Sequence, residues 1–142
     1  MKRTIDVVCA VMMRADKVLC MRRKPRGATY TAHHYEFPGG KIETGETPEQ
    51  ALSREISEEM EWAVTVREHL ATVVHEYPDF TIRLMAYRCD VPPTDNFVLH
   101  DHDDLTWLPP DALASLDWSA ADRKLLEAMQ SEGVLQKYVT DI

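Results

Sequence analysis

Between Gly39 and Trp62 the chain reads GGKIETGETPEQALSREISEEMEW, and seven of these residues are glutamate. Their placement constrains the fold more than their number. Thr47, Pro48 and Gln50 compose a helix start: a capping hydroxyl, a proline at the first helical position and the Gln of a capping box. From there Ala51, Leu52, Ile56 and Met60 recur at helical spacing and supply one apolar face. Glu55, Glu58 and Glu59 stand at i, i+3 and i+4, so they project from a neighbouring face of the same helix. Carboxylates so arranged repel one another unless a positive charge sits among them. A hard divalent cation with oxygen ligands, Mg²⁺ or Mn²⁺, answers that need; a solvated acidic helix is the plain alternative. Ahead of the helix, Gly39 and Gly40 let backbone approach a ligand closely and take conformations closed to other residues. Their carbonyls are candidate metal ligands, and Arg54 is placed to orient Glu58 four residues on.

The segment resembles the Nudix box: a Gly, five residues, a Glu, seven residues, then Arg-Glu-aliphatic-any-Glu-Glu-any-Gly-aliphatic. Gly40, Glu46, Arg54, Glu55, Ile56, Glu58 and Glu59 fall in place. Two positions depart, Glu61 where the pattern has Gly and Trp62 where it has an aliphatic residue. That Gly ends the helix in a left-handed conformation, which costs any other residue about 1 kcal/mol. The departure bears on the local turn and leaves the acidic face intact.

A chain of 142 residues, 44% hydrophobic, is expected to form one domain over 1–142 with a sizeable core. Its net charge of −8 opposes duplex binding, so nucleic acid is not expected as a partner. Arg22, Arg23, Lys24 and Arg26 make the one dense basic run, just ahead of the box. Cys9, Cys20 and Cys89 each lie in an apolar, strand-like run and are read as buried free thiols of a reducing cytoplasm. No apolar run approaches the ~18 residues of a membrane span, and no cleavage pattern follows the basic start. Monomer and homodimer both stay open.

Taken in order, Thr4 to Met13 reads as a central strand, with Asp16-Lys17 turning into a second strand from Val18 to Arg23. Pro25 to His34 is a loop, and Glu36-Phe37-Pro38 leads into a Gly-Gly turn. The box helix spans about Pro48 to Met60. Val64 to Tyr77 and Phe80 to Val91 read as paired strands about a Pro78-Asp79 turn. Pro92 to Asp104 reads as a loop, Leu105 to Leu108 as a short strand stopped by Pro109-Pro110. Ser119 then caps a helix from Ala120 to about Glu132, with Gly133 just past its end. The order permits an α/β fold with a mixed sheet between helices; the resemblance implies the Nudix α/β/α sandwich.

The likeness extends over most of the chain to the MutT branch and the related CTP pyrophosphohydrolases, and EFPGGKIETGETPEQAL is especially similar. It implies a hydrolase splitting a nucleoside triphosphate into monophosphate and pyrophosphate. The metal would be held by Glu55, Glu58, Glu59 and the Gly39 carbonyl. Arg23, at the end of the second strand, is the implied phosphate ligand, with Arg22 a near miss. Glu36, Phe37 and Pro38 match the segment walling the base pocket. Asp101, six residues before Trp107, falls where the family has a further acidic ligand or base, more often Glu. His100, His102, Asp103 and Asp104 crowd it, but without the Cys or His spacing of a zinc finger. His33-His34 faces solvent or lines the entrance in this reading. Asp122 stands where MutT proteins place an Asn that reads the purine; the plain alternative is a carboxylate favoured in a first helical turn. An ionised Asp only accepts hydrogen bonds, which favours the exocyclic amine of cytosine; a protonated one restores 8-oxo-dGTP. Two rival readings remain: a non-catalytic nucleotide-binding module, opposed by the intact glutamates, and a hydrolase of dinucleotides or nucleotide sugars.

Overall fold

The structure, a computed structural model, describes residues 2–24 and 33–138. Arg26 and most of the Pro25–His34 loop lie outside the described residues. The elements are β1 (Arg3–Arg14), β2 (Lys17–Arg23), β3 (Tyr35–Glu36), β4 (Gly39–Lys41), α1 (Pro48–Met60), β5 (Thr65–Glu76), β6 (Phe80–Asp90), β7 (His102–Leu108) and α2 (Ala120–Glu132). Among the described residues one mixed sheet runs β3-β2-β1-β6-β5, with β4 paired to β1 and β7 to β2. β1 and β6 run parallel; the expected β1–β2 and β5–β6 pairs are antiparallel.

The apolar run of β1 is explained by burial on both faces. Val8, Ala10 and Met12 pack with Ala51, Leu52, Ile56 and Met60 of α1. Cys9, Val11 and Met13 face the other way, into a cluster with Leu125, Leu126 and Met129 of α2. Alternation at period two thus feeds two helix-covered layers, the sandwich expected from the chain order. The three cysteines are free and buried. Burial pushes the Cys20 and Cys89 thiols up to about 12, which makes them packing residues and not nucleophiles. Among the described residues no helix is long and apolar enough to cross a membrane.

Several boundaries correct the reading above. Gly39-Gly40 is no turn: both lie in β4, against Cys9 and Val8 of β1. Neither has a positive φ. β7 starts at His102, three residues inside the segment read as loop, because its outward positions are acidic while His102 points inward. Pro110–Ser115 forms a 3₁₀ helix that no periodicity announced. Ser119 occupies the N-cap of α2, yet its side chain makes no capping hydrogen bond.

The end of the box is settled by geometry. Glu61 is the C-cap of α1 at φ 52°, ψ 41°, the left-handed conformation that the Gly position calls for, and its N–H donates to Ser57 O. Its carboxylate Oε2 lies 2.6 Å from His100 Nε2. Trp62 is buried, donates from Nε1 to Thr94 O and Asn96 Oδ1 at 3.2 Å, and meets the Phe97 ring edge-on. Arg14 lies over Trp107, its guanidinium carbon 4.8 Å from the ring centre, and reaches towards Trp62 at 5.9 Å.

Candidate active site

α1 begins as its sequence dictates. Thr47 Oγ1 accepts from Gln50 N at 3.1 Å and Gln50 Oε1 from Thr47 N at 3.0 Å, with Pro48 at the first position. That start fixes the rotation of the helix and turns Glu55 and Glu59 inward while leaving Glu58 outside. Arg54 is clamped rather than loose. It donates to Glu46 at 2.7 and 3.0 Å, to Lys41 O and Glu55 Oε1 at 3.1 Å, and to Glu58 Oε2 at 3.3 Å. The orienting role expected of Arg54 towards Glu58 is present, and it extends to Glu55. Glu46 supplies the strongest hold, bidentate and charge-assisted.

Gly40 faces Glu55 so closely that a Cβ there would sit 2.3 Å from the carboxyl carbon. A Cβ on Gly39 would sit 1.9 Å from Val8 O. Both glycines are therefore required by close approach, one to a functional carboxylate and one to the neighbouring strand.

A cavity of about 340 Å³ opens beside these residues, lined by Arg23, Glu36, Phe37, Gly39, Gly40, Glu55, Glu59, Asp101 and Asp122 among others. Its apolar lining comes from Val7, Tyr77, Phe80, Ile82, Leu84 and Ala121. One pocket is thus lined by both acidic and apolar side chains. Two expected residues stand apart from it: Glu58 is exposed and tied to Arg54, and Pro38 contributes its carbonyl to Ala10 N at 2.8 Å. Asp101 lines the cavity while its backbone carbonyl accepts from Lys24 N. Arg23 donates to Glu36 Oε2 at 3.0 Å, whereas Arg22 turns to Asp103 at 2.9 Å.

Burial is the dominant electrostatic fact. It pushes the Glu59 carboxyl up to about 9, assisted by the neighbouring charges of Glu36, Glu55 and Asp101. Glu55 is also raised by burial, with Arg54 opposing. Glu59 Oε2 is buried and has no hydrogen-bond partner among the described residues. Glu36, Glu59 and His102 bring ligand atoms within 4.8 Å of one another. A buried carboxylate oxygen left bare among other carboxylates is what a hard cation satisfies, so the residues present fit a divalent metal.

His102 is the residue that the sequence reading passed over as one of a crowd. It is fully buried at the start of β7, its Nε2 3.0 Å from Glu36 Oε2. Its position next to Asp101 was the one available signal, and an Asp/His-rich run masked it.

Asp122 lies in the first turn of α2, buried, and lines the same cavity as Glu55 and Glu59. Oδ1 accepts from Phe37 N at 2.9 Å and Oδ2 from Ser119 Oγ at 2.6 Å. Phe37 stacks on Trp118 with ring centres 4.6 Å apart. Tyr35 N donates to Asp117 O and Ser119 N to Tyr35 O, which docks the start of α2 alongside β3 and carries Asp122 to the cavity.

An acidic helix face is thus held beside a glycine strand in an α/β/α sandwich with one mixed sheet among the described residues, the architecture of a hydrolase fold family. The chain belongs to the NUDIX domain family, whose model matches residues 7–128. It is 34% identical over 130 residues to the CTP pyrophosphohydrolase of Escherichia coli (strain K12), covering 91% of this chain and 93% of that one. It is 56% identical over 83 residues to the 8-oxo-dGTP diphosphatase of Proteus vulgaris, covering 58% and 73%. Among solved structures, the E. coli ORF135 protein superposes with a TM-score of 0.75 at 33% identity, covering 92% of this chain and 91% of that one. The MutT protein of Methanosarcina mazei Go1, at 20% identity and TM-score 0.79 over 93% and 96%, supports the fold alone.

Proposed function

We propose that the chain is a divalent-metal-dependent nucleoside triphosphate pyrophosphohydrolase, converting NTP to NMP and pyrophosphate, with preference for CTP, dCTP or a modified cytosine nucleotide. The observation that carries this reading is one cavity lined both by Glu59, whose Oε2 has no hydrogen-bond partner among the described residues, and by Asp122. The relative named for CTP supports the same reading over nearly its whole length.

Glu55, Glu58, Glu59 and the Gly39 carbonyl are the proposed holders of Mg²⁺, with Mn²⁺ an acceptable substitute for an all-oxygen donor set. When bound, such an ion offsets phosphate charge and makes water a better nucleophile at neutral pH. The chain's own residues do the rest. Arg54 and Glu46 fix the rotamers of Glu55 and Glu58. Glu55 or Asp101, whichever is not fully used as a ligand, takes the proton from the attacking water. Arg23, at the cavity wall, pairs with the phosphates. Phe37, braced by Trp118, and Asp122 hold the base, and Glu36 and Pro38 shape the segment that carries Phe37. Free nucleotides and unpaired buried thiols both suit a cytoplasmic site of action.

A second reading, hydrolysis of 8-oxo-dGTP in nucleotide-pool sanitation, is favoured by the state of Asp122. Burial, with Glu36 adding, pushes its carboxyl up to about 7, so a protonated fraction at neutral pH can donate. The test is kcat/KM for dCTP and 8-oxo-dGTP in wild type and Asp122→Asn. The Asn variant is expected to move preference away from cytosine by about 1–3 kcal/mol, the worth of a good base contact. An unchanged ranking refutes the base assignment.

A further inference from the structure

Ser119 stands at the N-cap of α2 without capping it. An N-cap hydroxyl ordinarily accepts from a backbone N–H of the first turn. This one points its proton at Asp122 Oδ2, 2.6 Å away, and both residues are buried. Opposite, the Phe37 N–H holds Oδ1 at 2.9 Å. A hydroxyl taken from the helix end has been given to a carboxylate that lines the cavity.

We propose that Ser119 is a specificity-setting positioning residue, whose hydroxyl keeps Asp122 an acceptor and so selects bases that present an amine to it. The inference rests on the reading that Asp122 meets the base. A backbone N–H only donates, so Oδ1 is always an acceptor. While Ser119 also donates, both oxygens are committed as acceptors, and their remaining lone pairs are what the cavity offers. The N4 amine of cytosine satisfies them; the O6/N7 edge of an 8-oxopurine, which puts a carbonyl there, does not, and such a purine meets both acceptors only by presenting its N1–H and 2-amine edge instead. Were Asp122 protonated on Oδ2, that proton would either go to Ser119 Oγ or turn into the cavity as a donor.

The groups around Asp122 are poised to let this hydroxyl decide. Glu36 of β3, Cys9 of β1 and Tyr77 of the β5–β6 turn face it, and negative charge on any of them disfavours its ionised form. Within α2, the neighbouring Arg123 is turned away onto the Leu116 and Ala114 carbonyls. Among the described residues Ser119 is the one side chain whose hydrogen bond favours the charged state; the Phe37 and Asp122 backbone donors assist it. Against them stand burial first and Glu36 second, and the balance still raises the carboxyl, to about 7.

The experiment is kcat/KM for dCTP and 8-oxo-dGTP from about pH 6 to pH 8.5, in wild type, Ser119→Ala, Ser119→Cys, Asp122→Asn and the Ser119→Ala/Asp122→Asn double variant. Ser119→Ala is expected to lower the dCTP to 8-oxo-dGTP ratio about tenfold at neutral pH and to move its pH dependence upward by roughly one unit. Ser119→Cys, close in size with a weaker donor, falls between, and carries the test should the Ala variant fail to fold by circular dichroism. In the Asp122→Asn background the Ala change leaves the pH dependence of the ratio flat. A parallel loss on both substrates, with ratio and pH profile unmoved, shows Ser119 to be structural and overturns the proposal alone. An Asp122→Asn variant with unaltered ranking overturns the base contact itself, and the Ser119 role with it.

Discussion

Replacing Gly40 by Ala separates catalysis from folding. A Cβ at this position would lie 2.3 Å from Glu55 Cδ and 2.5 Å from each carboxylate oxygen, whereas ordinary contact begins near 3.4 Å. Glu55 must therefore retreat by about 1 Å, and in doing so it leaves the 3.1 Å hydrogen bond from Arg54 Nη1. The obstacle is the tip of a flexible side chain, so the backbone need not move. The stability cost is expected to be about 1 kcal/mol or less, the scale of one lost hydrogen bond. A misplacement of ~1 Å in a reacting group costs on the order of 100-fold in rate. Gly39→Ala is the control with the opposite outcome. Its Cβ would strike Val8 O at 1.9 Å and Cys9 Cα at 2.7 Å, which are backbone atoms of the central strand. That variant must break the β1–β4 pairing and is expected to lose several kcal/mol, on the order of 3 or more. Thermal unfolding and kcat/KM with dCTP and Mg²⁺ check both. A Gly40→Ala protein with activity within about threefold of wild type, or one as unstable as Gly39→Ala, refutes the reasoning.

Two further predictions follow from the same geometry. In the metal-free protein the Glu59 carboxyl holds its proton up to about 9, against 4.5 for an ordinary Glu, so the folded state binds more protons than the unfolded one between those values. Stability should therefore fall as pH rises through that window, by about 1–3 kcal/mol once relaxation of the site is allowed for; Glu59→Gln should flatten the slope, and unfolding midpoints at several pH values without metal measure it. An equally steep slope in the variant counts against this origin. Glu61→Gly removes a left-handed non-glycine residue at a cost of an exposed contact to His100, and should raise stability by roughly 0.5–1 kcal/mol with the rate unchanged; a lowered midpoint would show that the His100 pair outweighs the strain.

What the sequence made legible is what local chemistry determines. Thr47, Pro48 and Gln50 specify a helix start without help from the rest of the chain, and α1 begins where they place it. β1 and β2 carry long apolar runs, and the Pro78-Asp79 turn joins β5 to β6. β3 and β4, of two and three residues, are too short to show a period and exist only because β2 and β1 offer them edges. His102 could not be told from its neighbours, since an inward His and outward Asp residues at a strand start look like a polar loop. Glu46 was visible as a motif position, but its work, gripping Arg54 across eight residues, is tertiary. Gly40 was read as allowing both close approach to a ligand and unusual backbone conformations; the close approach is to Glu55, and its φ is not positive. Ser119 was read as a cap because the position is right; only the packing of α2 against β3 shows where its proton goes.

The central claim is metal-dependent cleavage between the α and β phosphates by the acidic face of α1. Product analysis of dCTP turnover tests it most directly, scoring pyrophosphate against inorganic phosphate for wild type and Glu59→Gln, with Mg²⁺ and with excess chelator. The wild type is expected to yield dCMP and pyrophosphate with Mg²⁺ and neither with chelator, with a loss on the order of 100-fold or more in the Gln variant while it remains folded. Release of inorganic phosphate from the terminal position, turnover in chelator, or an undiminished Gln variant would contradict that claim.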